Sequence, residues 1–296
     1  VNQQTRAYLF ALMAVLLWST VATAFKLSLR HMAPIQLLFY AAVTSVLVML
    51  LILILQGHLR TIRRLSRREL WIAAGLGMLN PFLYYWVLFQ AYDLLPAQEA
   101  QPLNYTWAIT LSILAVPLLR QHLQRSDLLA IGISYSGILV IATHGQPWTL
   151  QFSNGFGVLL ALASTVIWSL FWIFNTRSRI EPAVGLFLNF LFGLPLIALA
   201  TALTTGFSIR STEGLYGAVY VGIFEMGIAF VFWLQAMRLT ENTARIANLI
   251  FLSPVLSLFL IHFIVGEEIH WSSGLGLLLI IFGNGIQQLG RRRMSK

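Results

Sequence analysis

Apolar residues along this chain come in long unbroken runs, and the runs end at short clusters of Arg, Asn, Gln, Pro and Gly. Ten runs are countable, at 7–28, 34–56, 70–92, 97–118, 127–143, 155–176, 182–205, 215–236, 242–264 and 272–289. A helix rises about 1.5 Å per residue and needs roughly 20 apolar residues to cross a bilayer, so each run predicts one spanning helix. The fifth run is short and has His144 just beyond its end. The connections are short too, which leaves no room for a soluble domain. Arg6 and the small residues Ala22-Thr23-Ala24 flank the first run as they would in a signal peptide. That run is longer than a signal core and its pattern recurs later, so an uncleaved first span is expected.

Two runs are interrupted by a polar residue at the same place. The run at 215–236, LYGAVYVGIFEMGIAFVFWLQA, carries Glu225 as its eleventh residue, and the run at 70–91, LWIAAGLGMLNPFLYYWVLFQA, carries Asn80 there. A shift of 145 also pairs Gly77 with Gly222 and Gln90-Ala91 with Gln235-Ala236. Trp18-Ser19 recurs as Trp168-Ser169, Pro34 and Pro182 open the second and seventh runs, and glycines 132 and 137 answer 276 and 283. These matches predict an all-α integral membrane protein of ten spans in two five-helix repeats, residues 1–145 and 146–296. An odd number of spans per repeat inserts the second copy upside down, the inverted repeat that transporters use for alternating access.

Charge sets the orientation. Placing the N-terminus in the cytoplasm puts 16 of the 19 basic residues inside and leaves Lys26, Arg30 and Arg210 outside. That split predicts cytoplasmic termini in a bacterial inner membrane. It also accounts for the net charge of +9 without a nucleic-acid partner. Composition agrees with a membrane protein: 58% hydrophobic, 10% charged and a mean hydropathy of +0.78. There is no cysteine, hence no disulfide or thiolate metal site. No metal or other cofactor is expected.

The residues resemble a known group. LLWSTVATAFKL at 16–27, SPVLSLFLIHFIVGEEIHWSSGLGLLLIIFG at 253–283 and the repeated Trp168-Ser169 are similar to the drug/metabolite transporter superfamily, in particular its EamA-type ten-helix branch. The tract QPLNYTWAIT at 101–110 most resembles the YddG-type exporters of aromatic amino acids. The resemblance implies two inverted halves around a substrate cavity formed by spans 1, 3, 4, 6, 8 and 9. It also implies amino-acid export. The chain departs from the pattern at Tyr40, where members often carry Arg. A Gly-Glu pair closes the fourth span of each half in the family; here Gly266-Glu267 keeps it and Arg120-Gln121 does not.

Glu225 is the first candidate for chemistry. A carboxylate at mid-membrane takes up a proton, attracts a substrate ammonium, or sits protonated against a neighbouring helix; a binding or coupling role is the expectation. Asn80 and Tyr84 are four residues apart, as are Trp168 and Trp172, so each pair is expected to share a helix face. With Tyr105 and Trp107 they supply aromatic walls for a ring-bearing or bulky apolar substrate, against the alternative of plain core packing. Lys26 is expected to snorkel, Pro81 and Pro254 to kink their helices, and Asn248 and Asn284 to bond between helices. Trp71, Trp148 and Trp271 fit an interfacial belt. The glycines of the fifth and tenth runs are expected to pack within the chain, giving a monomer.

The expected partners are therefore a small-molecule substrate, an amino acid, and the lipid bilayer. GxxxxGK[ST], GxSG and HExxH are all absent, which disfavours an ATPase and an intramembrane enzyme. The function expected is export of aromatic or large apolar amino acids by alternating access. An uncoupled facilitator, or an exporter of other metabolites or drugs in the same fold, stays open.

Overall fold

A computed structural model describes residues 2–120, 125–148, 153–175, 177–240, 249–250 and 252–294. Every described element is helical. In chain order they are α1 Gln3–Leu29, α2 Pro34–Leu55, α3 Arg67–Leu94, α4 Ala97–Leu119, α5 Arg125–Ala142, α6 Gly155–Asn175, α7 Pro182–Thr204, α8 Thr212–Leu239, α9 Leu252–Val265 and α10 Trp271–Met294. Seven of these, all but α5, α9 and α10, are long and apolar enough to cross a membrane, and the other three contain shorter apolar stretches. The first seven residues of the ninth predicted run, 242–248, which include Arg245 and Asn248, lie outside the described residues, as do residue 251 and Gln121.

Local signals place the helix starts. Pro34 and Pro182 occupy the first turn of α2 and α7, where a missing N–H costs nothing. Ser66 caps α3 by accepting from Glu69 N, and Ser211 caps α8 by accepting from Gly214 N. These two caps are also 145 residues apart. Pro254 is the third residue of the described part of α9, and Ile250, four residues before it, stands in a turn rather than a helix. The ends match as well: Arg120 after α4 and Gly266 after α9 both adopt left-handed backbone, at φ 53° and 81°. Arg120 thus takes a conformation that suits glycine and costs an L-residue about 1–2 kcal/mol.

Both polar mid-helix residues sit where the α-helix is disturbed. Met78–Leu83 and Val221–Ile228 are widened, π-type turns, the first containing Asn80 and the second Glu225. Such turns release backbone groups and re-aim side chains. Asn80 is extended, at φ −142° and ψ 115°, and Pro81 follows it. The expected shared face of Asn80 and Tyr84 is therefore lost, because no regular helix connects them.

The outward faces are apolar: Leu55, Leu203, Phe263 and Leu278 are largely exposed. This is the surface of a protein solvated by lipid. Trp71, Trp148 and Trp271 are also exposed, as belt residues are. Inside, Phe25 meets Phe89 and Tyr92 edge-on at centroid distances of 4.6 and 5.3 Å. Lipid removes most of the hydrophobic drive between helices, so close packing has to hold them together. Small residues provide it. A Cβ on Gly77 of α3 would come within 2.3 Å of the Asn189 carbonyl oxygen of α7, and one on Gly222 of α8 within 2.4 Å of the Ala41 oxygen of α2. The glycines of α5 and α10 also face each other inside the chain: a Cβ on Gly137 would lie 2.6 Å from the Gly276 oxygen.

Gly77→Val and Gly222→Val should each lower the thermal unfolding midpoint of the detergent-purified protein, at a cost of about 1–3 kcal/mol. Gly75→Ala, whose methyl would meet nothing within 4 Å, should not. Equal midpoints across the three variants would contradict close crossing.

Candidate functional site

A central cavity of about 190 Å³ lies among α1, α3, α4, α6 and α8, with Ile250 completing its lining. Each helix contributes one face. Trp18, Val21 and Phe25 follow helical spacing on α1, as do Tyr84, Leu88 and Tyr92 on α3. Gln101, Asn104, Tyr105 and Ala108 form a face of α4, joined by Trp107. Trp168 and Trp172 come from α6, and Glu225, Phe230 and Trp233 from α8.

The walls are mostly rings, and they brace one another. Tyr84 stacks on Trp168 at 4.5 Å, and Trp168 meets Trp172 edge-on at 5.8 Å. On the other wall Trp18 contacts Phe230 and Trp233 at 5.7 and 5.3 Å. Polar groups hold these rings in place. Tyr84 Oη donates to Asn104 Oδ1 at 3.3 Å, and Asn104 Nδ2 donates to Ser164 Oγ at 2.9 Å. Tyr105 Oη donates to Ser253 Oγ at 2.9 Å, which ties α4 to α9.

Glu225 is buried, with 9% of its surface exposed. Tyr85 Oη donates to its Oε1 at 3.2 Å, while Oε2 has no hydrogen-bond partner. Ser45 Oγ donates to the Met226 carbonyl within the widened turn, at 2.8 Å. Gln101 Oε1 and Trp172 Nε1 are likewise buried and unpartnered. An unpaired buried polar group is costly. Three of them on one cavity define a site with hydrogen-bonding capacity left for a ligand.

Six of the seven residues expected at the site line this cavity: Tyr84, Tyr105, Trp107, Trp168, Trp172 and Glu225. Asn80 does not. It is fully buried away from the lining, and its amide atoms have no partner. The break at Pro81 separates it from Tyr84. Sequence reasoning missed Trp18, Gln101, Asn104 and Trp233, although Gln101, Asn104, Tyr105 and Ala108 follow the i, i+3, i+4, i+7 pattern of one helix face. The pairing of Tyr85 with Glu225 was not legible either, because nothing local links residues 140 apart.

At one end of the cavity the helix termini are tied together. Lys26 neither snorkels nor faces the cavity: its Nζ donates to the Tyr92 and Leu95 carbonyls at the end of α3, at 2.7 Å each. Arg30 Nη2 donates to the Val265 carbonyl at the end of α9. Glu267 accepts from the N–H groups of Ala97 and Gln98, capping α4 at 2.9 and 3.2 Å. These contacts satisfy backbone groups that a helix end leaves open.

The family model of the EamA-like transporter family matches residues 5–143 and again residues 155–286. The chain therefore belongs to the EamA-like transporter family, within the drug/metabolite transporters, and is a multi-pass membrane transporter. It is 22% identical over 283 residues to an uncharacterized transporter, YvbV, of Bacillus subtilis (strain 168), covering 94% of this chain and 90% of that one. It is also 22% identical over 287 residues to an uncharacterized transporter of Archaeoglobus fulgidus, covering 94% and 96%. A solved crystal structure matches 99% of both chains with a TM-score of 0.70 at 22% identity, which supports the same fold.

Lys26→Met and Glu267→Ala should each reduce stability by about 1–3 kcal/mol, because each strands two backbone groups at a helix end. Thermal unfolding in detergent measures this. Wild-type midpoints would mean that solvent already serves those groups.

Proposed function

We propose that the protein is a secondary transporter of the bacterial inner membrane that exports aromatic or large apolar amino acids and related small metabolites, as the YddG-type exporters do. The observation that carries this reading is the cavity itself: ring walls around a buried carboxylate that has one oxygen unpartnered. Aromatic walls favour flat or bulky apolar side chains, and Glu225 Oε2 favours an ammonium. Glu225 is also the candidate for coupling, by exchanging a proton for the substrate ammonium.

In this reading ten spans form two inverted halves, residues 1–145 and 146–296, with both termini cytoplasmic. Support comes from the family model matching each half. The paired serine caps, paired widened turns and paired glycine crossings, all near a shift of 145, point the same way. Alternating access then works by rocking one half against the other around a fixed mid-membrane site. The Arg30 and Glu267 contacts, which join the two halves, would form the periplasmic closure, to be broken on release. Glycines spent on contacts within the chain favour a monomer. An uncoupled facilitator would use the same cavity and is the second reading.

Transport in proteoliposomes tests this. Counterflow of radiolabelled tryptophan or phenylalanine should saturate, and Trp168→Ala should reduce it at least about tenfold. Glu225→Gln should remove any accumulation driven by a pH gradient. Flux that follows the substrate gradient alone supports the facilitator. Unchanged transport in both variants would dissociate the cavity from function.

A further inference from the structure

The reading above, on which this inference rests, leaves open which end of a zwitterion the cavity recognises. Formal charge decides it. Among the described lining residues Glu225 is the one ionisable carboxylate, and none is Lys, Arg or His. The nearby cations on α1 are committed elsewhere: Lys26 to the carbonyls of Tyr92 and Leu95, Arg30 to that of Val265. We propose that the cavity selects monocationic aromatic amines over the corresponding zwitterionic amino acids.

The two ends of such a ligand meet different surroundings. An ammonium brought to Glu225 Oε2 finds an unpartnered acceptor, and Gln101 Oε1 offers a second. Trp168, Trp172, Tyr84 and Trp233 line the cavity, and the face of an aromatic ring attracts a cation more strongly as water is excluded. Tyr85 holds only Oε1. It therefore orients the carboxylate without using up its capacity.

A ligand carboxylate finds no cation among these lining residues. Among the fully buried, unpartnered side-chain atoms of the lining, the Trp172 indole N–H is the one donor, against two acceptor oxygens on Glu225 and Gln101. The ligand carboxylate also approaches Glu225, a like charge across a small, mostly apolar space, where screening is weak. Burying a carboxylate with no cation beside it is strongly unfavourable. Removing or neutralising that group should therefore improve binding, provided the ring and the ammonium stay.

Inhibition of labelled-tryptophan counterflow in proteoliposomes tests this with four probes of one ring: tryptamine, tryptophanamide, tryptophan and indole-3-propionate. The proposal expects tryptamine and tryptophanamide to bind at least about tenfold more tightly than tryptophan, a difference of about 1.4 kcal/mol. Indole-3-propionate should bind most weakly. In Glu225→Gln the preference for the amines should shrink toward unity while the protein stays folded by thermal unfolding. Tryptophan binding as tightly as tryptophanamide would overturn the proposal and leave the amino-acid exporter standing. Loss of selectivity for all indoles would overturn both.

Discussion

A buried carboxylate among aromatic rings sets the terms for this structure. Glu225 lies inside a protein whose outer surface is apolar, so bulk water does not solvate it and neighbouring groups must. Tyr85 supplies one hydrogen bond from α3, and the widened turn Val221–Ile228 places the side chain. The remaining oxygen is left to the cavity. One residue thereby joins α8 to α3 from within a widened turn and gives the chamber its carboxyl group.

The same economy governs the frame. Lipid weakens the hydrophobic drive between helices, so the bundle depends on close crossings and on satisfied helix ends. Gly77 and Gly222 bring α3 against α7 and α8 against α2. Lys26 and Glu267 close the ends of α3 and the start of α4. The glycine crossings and the Glu267 cap link residues of the first half of the chain to residues of the second, whereas the Lys26 contacts lie within the first half.

Much of the frame was legible in the sequence. Long apolar runs, helix-opening prolines and the 145-residue shift located the helices to within a few residues, because all of these are local signals. Six cavity residues were legible for the same reason: they are polar or aromatic positions within apolar runs. Asn80 misled, since its spacing from Tyr84 means a shared face only if the helix between them is regular, and Pro81 prevents that. The bond from Tyr85 to Glu225 stayed hidden because it joins residues 140 apart in the chain. Lys26 looked like a snorkelling cation because the sequence does not reveal which carbonyls its amine can reach. The left-handed backbone at Arg120 was hidden likewise, since the glycine expected there is absent.

The central claim is that the cavity holding Glu225 is where substrate sits during transport. The chain contains no cysteine, so a single thiol introduced at a lining position reports on that place alone. Ala108→Cys, on the cavity face of α4, would be reacted with a charged thiol reagent in proteoliposomes that transport tryptophan, with and without saturating substrate. The account predicts labelling that substrate suppresses in proportion to occupancy. Labelling unaffected by substrate, in vesicles where tryptophan still moves, would place the transported molecule elsewhere and contradict it.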